Sequence, residues 1–530
     1  MPNWIAPTTQ RKGIAVSTDT ELRDRDSATA HPRARRRPST ASISALFLGI
    51  LGTAVSAAGS WIPSLWGDEA ASVLSAQRSL PSLFRMLGNV DAVHGTYYLF
   101  LHFWVQMFGA SPFSVRFPSA IAVGIAVAGI VTLGSRVAGL RVGAFAGIVA
   151  VFLPRITYMG EEARGYAMSA AAVVWLTILL VHIVGLERPK RRLWIFYAIG
   201  LAACGYIFLF SMLIVVAHAV IVLGTRQRAM IEPWGRAILA SVVIATAVIR
   251  FGIGEAGQIA FLANRDSTNI RTIVVTQWFG NDLMALVAWT LIIMAIVVWG
   301  IGAYRTRRDS GIPDSSGDSG ARAPSLVPLA AIWLLGPLAI LLAVNSVHAV
   351  YSSRYLSFAA PAAALLIGWL LARVPRIVAI PLLVLVVAAS SISYFSERTP
   401  FAKNNSDWSQ IADTIQANAI PGQGILFDEG TRPSRAPRLA LRTYPSSIEG
   451  LTDVALKTPW YDTTNWHDAV YPSSAIAARI GSIKTVWLVE YRLPGTKTGT
   501  YDRSMLWSLG FVVVAEYPLH SSVVLKLTRP

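Results

Sequence analysis

The chain has 530 residues, 54% of them hydrophobic and 14% charged, and a net charge of +17. With a mean hydropathy of +0.50, this composition excludes a soluble globular protein and indicates a polytopic membrane protein. The basic residues lie in short loops between apolar runs, so they read as a topology signal rather than as a nucleic-acid surface.

Residues 1–40 are polar and close on the basic cluster Arg33 to Arg37, which predicts a disordered cytoplasmic tail. The charge-free run from Ala41 to Gly59 is long enough to cross a bilayer. It is too long for the core of a signal peptide, and Ser56-Ala57-Ala58-Gly59 is a weak cleavage site, so it reads as a retained first span. Trp66-Gly67-Asp68-Glu69 follows at its outer end. Between Ser72 and Phe108 the pattern is amphipathic, and the stretch from Tyr97 to Phe108 is too short to cross the hydrocarbon core. It predicts juxtamembrane helices along the outer interface.

Further spans are expected over Pro118 to Gly134, Val142 to Tyr158 and Tyr166 to Gly185. Arg136 and Arg141 mark one inner turn, and Arg188, Lys190, Arg191 and Arg192 another. Leu193 to Gly224 is too long for one span and predicts two short helices with a turn near Phe210-Ser211. The remaining spans are Ala237 to Gly254, Leu283 to Ile301, Ser325 to Asn345, Tyr355 to Leu371 and Val378 to Tyr394. About eleven spans result, with the N-terminus inside and the C-terminus outside, as in the plasma (inner) membrane. Arg116 sits against the charge rule on the outer side, as do Arg78 and Arg85.

Residues 397–530 have ordinary polar composition and predict a small α/β extracytoplasmic domain beside the helical domain of residues 41–396. A helix is expected over Ser406 to Asn418, with strands at Gly424–Asp428, Thr485–Glu490 and Ser522–Leu527. The single cysteine, Cys204, excludes an intramolecular disulfide, no Cys/His cluster has zinc spacing, and no Gly-rich phosphate loop is present.

The ionisable residues at the outer ends of the spans carry the chemistry. Asp68 and Glu69 can cap a helix, or Asp68 can take a proton from an acceptor hydroxyl attacking an anomeric carbon. Glu161 and Glu162, trailed by Arg164 and Tyr166, read either as a solvated turn or as a second acidic loop facing the first. His94, with Tyr97 and Tyr98, forms a polar aromatic elbow. Arg354-Tyr355, preceded by His348 and Tyr351, is either a snorkelling anchor or a phosphate holder, because a guanidinium matches phosphate bidentately. Arg265 and Arg271 are further phosphate candidates.

Taken in order, these motifs resemble the GT-C glycosyltransferases, in the branch of protein O-mannosyltransferases and lipid A aminoarabinose transferases. The resemblance rests on Trp66-Gly67-Asp68-Glu69, His94-Gly95-Thr96-Tyr97-Tyr98 leading to Trp104, and Arg116-Phe117-Pro118-Ser119-Ala120. Glu161-Glu162-Ala163-Arg164-Gly165-Tyr166 and Arg354-Tyr355 with Pro361 complete it. It implies a multi-span helical fold, a polyprenyl-phosphate sugar donor bound at the outer interface, mannose as the expected sugar, and inversion with Asp68 as base. The acceptor would be an extracytoplasmic glycan, lipid or protein. Some members hold Mg²⁺ or Mn²⁺ on acidic loops, for which Asp68 and Glu162 are the candidates. Val93-His94-Gly95 departs from the His-Pro-Pro pattern of relatives. Two other classes fit the composition: a transporter of a lipid-linked glycan or small solute, and a non-catalytic scaffold displaying the C-terminal domain.

Overall fold

The computed structural model describes residues 39–225, 227–255, 257–258, 262, 268–309, 325–431, 433–492 and 500–530. The expected N-terminal tail, most of the Ser-, Gly- and Asp-rich loop between Arg305 and Arg322 and the phosphate candidate Arg265 lie outside the described residues. Among them, seven helices are long and apolar enough to cross a membrane: Thr40–Ala57, Pro112–Ala138, Tyr166–Val184, Asp282–Thr306, Leu326–Asn345, Ser353–Leu371 and Arg376–Ser396. Two bent pairs raise the number to as many as nine. This is an integral, multi-pass membrane protein.

Each of the ten apolar runs read from the sequence is helical, but four depart from a straight span. The run expected over Val142 to Tyr158 forms Leu140–Phe152 and Pro154–Gly160, bent by 60°. Leu153 is extended at the break, as the residue before a proline tends to be. Arg228–Ile244 and Thr246–Gly254 bend by 55° with no proline at the joint. Leu193 to Gly224 divides as expected, with the break at the extended Phe208. Arg354-Tyr355 opens as a 3-10 segment, Ser353–Ala359, and Pro361 then stands in the first turn of Ala360–Leu371, where its missing N–H is tolerated.

Small residues and a few polar side chains join the helices, as in lipid, where apolar area alone does not select partners. A Cβ on Gly124 would lie 2.0 Å from Thr53 Oγ1, which shows how closely Thr40–Ala57 approaches Pro112–Ala138. Buried His218 sits 3.0 Å from Thr177 Oγ1 and 2.8 Å from the Tyr197 hydroxyl, to which Trp234 Nε1 also donates. Four helices are thereby fastened away from the site.

The juxtamembrane helices Gly67–Ala76, Leu80–Leu87 and Gly95–Phe108 form as expected. The last buries Tyr97, Tyr98, Leu101 and His102 and exposes Phe103, Met107 and Phe108, the two-sidedness of a helix lying on a lipid surface. Its buried side joins a cluster containing Leu74, Leu83 and Met86 together with Ile411, Phe427, Trp487 and Val489. The C-terminal region is thus packed onto these helices through continuous apolar contact.

That region holds helix Trp408–Asn418 and a five-stranded sheet in the order Thr452–Asp453, Gly424–Phe427, Thr485–Tyr491, Ser522–Thr528, Val512–Pro518. Gly424–Phe427 pairs in parallel with both neighbours, and the last three strands are antiparallel. The three expected strands form its centre, and both edge strands are additions to the sequence reading.

Candidate active site

Asp68 stands in the first turn of Gly67–Ala76, where the helix N-terminus favours a carboxylate. Its Oδ2 accepts from Arg354 Nη1 at 2.6 Å and lies 3.8 Å from Arg164 Nη2. Arg354 Nη1 also donates to Glu162 Oε1 at 3.2 Å, so one guanidinium bridges the two acidic loops. Its Cζ lies 5.0 Å from the Trp66 ring, within cation–π range. Arg164 Nη1 donates to the Tyr98 hydroxyl at 2.9 Å, and that hydroxyl donates to Asp91 Oδ2 at 2.9 Å. Asp91 has φ 59°, a left-handed conformation uncommon outside glycine.

These groups edge a cavity of about 1200 Å³ lined by Trp66, Asp68, Asp91, His94, Arg155, Arg164, Tyr166, Arg354 and Tyr355. An aromatic wall completes it on one side: Phe210 stacks on Tyr355 at 5.2 Å, and Phe208 lies 5.2 Å from Tyr166. The polar side is supplied by Glu397, Asn404, Ser434, Arg435, Asn465, Trp466 and His467.

Burial raises the Asp68 carboxyl, but Arg354 and Arg164 more than offset it, leaving its pKa below the ordinary value and the group ionised at neutral pH. Burial pushes Asp91 up, against Arg164 and the Tyr98 hydrogen bond. It also raises Glu162, against Arg354. His94 is driven down to about 3 by burial and then by Arg164, so it is a neutral imidazole at physiological pH.

The remaining candidates have other surroundings. Glu69 is fully buried in a fork with Arg116, Nη2 to Oε2 at 2.5 Å and Nε to Oε1 at 2.7 Å, and also accepts from Ala163 N. It lies outside the cavity lining. Arg116 further donates to the carbonyls of Ser60, Pro63 and Ser64, which accounts for an arginine at an end of the bundle where the charge rule expects none. Glu161 faces Lys403 and Arg398, each at 3.1 Å. Tyr97 and Tyr98 are buried and outside the cavity lining, Tyr98 reaching the site through Arg164. Arg271 pairs with Asp282.

Among the described residues, no group of three or more His, Cys, Asp or Glu side chains is placed to hold a metal. The proposed metal pair, Asp68 and Glu162, is bridged by the Arg354 cation, which does not fit a divalent ion at the same point.

Sequence reading missed Arg155, Glu255 and Arg435 as cavity residues. Arg155 carried a usable signal, a lone arginine inside an apolar run. It donates to the carbonyls of Gln277 and Thr276, at 2.5 and 2.8 Å.

No family model and no curated protein matches the sequence. Solved structures do. ArnT from Cupriavidus metallidurans in the apo state superposes with a TM-score of 0.58 at 11% identity, covering 92% of this chain and 98% of its own. The chain shares the ArnT fold. ArnT bound to undecaprenyl phosphate gives 0.54 at 11% identity, covering 91% of this chain and 97% of its own. Mycobacterial arabinofuranosyltransferase AftD gives 0.48 at 13% identity, covering 92% of this chain and 41% of its own. The shared ArnT fold bears out the multi-span helical architecture expected from the motifs, and the C-terminal sheet bears out the small α/β region.

Proposed function

We propose that the chain is a membrane glycosyltransferase that moves a sugar from a polyprenyl-phosphate donor to an extracytoplasmic acceptor. The observation that carries this reading is the Asp68–Arg354 pair at the wall of a large cavity, in a fold shared with a protein solved with undecaprenyl phosphate. The ionised Asp68 takes the proton of an acceptor hydroxyl as its oxygen bonds to the anomeric carbon. The bond from that carbon to the phosphate oxygen breaks, the phosphate leaves with the electron pair, and the configuration inverts. Arg354 and Tyr355 receive the phosphate, with Arg155 as a further cation, and the prenyl chain follows the aromatic wall. A phosphate drawing Arg354 away would free Asp68 to act as base, so donor binding and base activation are linked through one guanidinium.

Mannose is the sugar we assign, from the resemblance to the O-mannosyltransferase branch. From the basic loops we read the N-terminus as cytoplasmic and the cavity as facing the outer side of the plasma membrane. The test is transfer of radiolabel from polyprenyl-phosphate mannose in membranes carrying wild type or Asp68→Asn, matched for folded protein. Transfer by wild type that collapses in the variant supports the reading. Equal transfer by both removes Asp68 from the chemistry, and wild-type transfer from another polyprenyl-phosphate sugar but not mannose overturns the sugar alone.

A further inference from the structure

We infer that the loop Trp460–His467 is a carbohydrate-binding wall of the cavity, taking a neutral glycosyl acceptor against Trp466 with Asn465 and His467 as hydrogen-bonding partners. The inference rests on the glycosyltransferase reading and narrows its acceptor to a glycan.

Asn465, Trp466 and His467 line the same cavity as Asp68. The loop that carries them is held by a buried cation. Arg78 is almost wholly buried, and its guanidinium donates to the carbonyls of Thr463, at 3.0 Å, Trp460 and Asn465, and to Ser82 Oγ at 3.1 Å. Its Cζ sits 5.6 Å from the Trp460 ring. Taking a guanidinium out of water is expensive, and here backbone carbonyls rather than a carboxylate compensate it. Inside the loop, Thr463 Oγ1 meets the carbonyls of Trp460, Asn465 and His467 at 3.0, 2.8 and 3.1 Å. Asp468 Oδ1 accepts from Trp460 N at 2.7 Å.

Arg78 lies just past the end of Gly67–Ala76, the helix whose first turn holds Asp68. One short helix therefore fixes the carboxylate at one end and this loop at the other. That is the arrangement needed to present an acceptor hydroxyl to a base, where a displacement of an ångström is costly.

The chemistry of the loop selects the ligand. Trp466 is half-buried, its ring 5.3 Å from the His467 imidazole at 83°. An aromatic face beside an amide and an imidazole suits a molecule with C–H faces and a rim of hydroxyls. Two of the charges nearby are already engaged: Asp468 pairs with Arg442 at 2.8 Å, and Arg435 donates to the Tyr491 hydroxyl and Asn404 Oδ1; the loop's own Asp462 lines a separate cleft with Trp460 and Tyr461. The aromatic lining of Tyr166, Phe208, Phe210 and Tyr355 belongs to the apolar bundle and suits the lipid chain instead.

The test is binding to purified full-length protein of three probe sets: neutral di- to tetrasaccharides, serine- and threonine-rich peptides, and vesicles containing phosphorylated lipid. At least one neutral oligosaccharide should bind wild type, with affinity reduced about tenfold or more in Trp466→Ala, as expected for loss of an aromatic anchor. His467→Ala, a change of one partner in the same loop, should weaken the same probe. Binding confined to peptides or to phosphorylated lipid, absence of any neutral glycan ligand, or glycan binding unmoved by Trp466→Ala overturns the inference. Sugar release from polyprenyl-phosphate mannose, assayed in the same preparation, keeps the two readings apart. Release by wild type without glycan binding sinks only the loop assignment, whereas glycan binding with neither release nor transfer from any donor sinks the glycosyltransferase reading.

Discussion

Arg354 Nη1 lies 2.6 Å from Asp68 Oδ2, across 286 positions of sequence, with Glu162 on its other side at 3.2 Å. The pair places the end of one long apolar segment against the first turn of the juxtamembrane helix. It also fixes the charge state of the carboxylate that the proposed reaction uses. Asp68→Asn keeps the size and the helix N-terminal preference but cannot accept a proton. Transfer should fall by about 10²–10⁴-fold, the range of a lost general base, with thermal stability little changed. Rates measured alongside unfolding curves check this, and a variant with wild-type rate defeats the assignment.

Arg354 has two partners, so its variants separate charge from geometry. Lysine keeps the charge but not the fork, and donor KM should rise about tenfold with the fold retained. Glutamine leaves the buried Glu162 without its cation, and stability should drop by about 3 kcal/mol. Adding Glu162→Gln should recover much of that loss. A double variant no more stable than the single one contradicts the pairing.

The Glu69–Arg116 fork is a different kind of pair, fully buried and outside the cavity. Its role follows from burial: breaking such a pair by removing one partner costs about 3–5 kcal/mol. Glu69→Gln should therefore lower the yield and Tm of the purified protein, while kcat per folded molecule stays near wild type. A stable variant with a large loss of kcat would return Glu69 to the chemistry.

Much of this architecture was legible because lipid imposes a crude code. Apolar runs and flanking arginines marked every membrane-length helix, and Pro154 marked one bend in the chain. The bend at Ala245 has no comparable local signal. Strand Val512–Pro518 was missed because it is a mostly exposed edge strand whose partner is set by the neighbouring Ser522–Thr528. Within the site, Asp68, Arg164 and Arg354 stood out as charges at span ends. Which acid meets which arginine did not, since Glu69 and Asp68 are adjacent in sequence yet face different arginines. The cavity contributions of Arg435 and Trp466 depend on how the C-terminal region packs, and no short motif records that.

Glu397 lines the cavity, and its carboxyl is pushed up to about 8, first by burial and then by Glu161, against Lys403 and Arg398. A carboxyl raised in the folded state binds its proton more tightly there than in the unfolded chain. Its contribution to stability is complete below the ordinary value of 4.5 and is lost as pH rises through about 8. Over that window the Tm of wild type should therefore decline more steeply than that of Glu397→Gln. Parallel Tm curves for the two proteins between those limits would show that the group is not raised.

Gly67 separates Trp66 from Asp68 for a reason of space. An ideal Cβ at this position would lie 2.3 Å from Ser434 O and 2.6 Å from Ser434 Cβ. The backbone of the turn that carries Asp68 thus touches the C-terminal region directly, beside the cavity that both line. Gly67→Ala must push one of them away, and the obstacle is backbone, which yields less readily than a flexible side-chain end. Overpacking of this kind costs about 1–3 kcal/mol, so Tm should fall. Because Asp68 is the next residue, the displaced turn should also misplace the carboxylate and reduce transfer. Ser434→Gly relieves the side-chain clash but not the carbonyl contact, so the double variant should recover stability only in part. Full recovery would put the obstruction in the serine side chain, and an unchanged Tm in Gly67→Ala alone would show that the contact is loose.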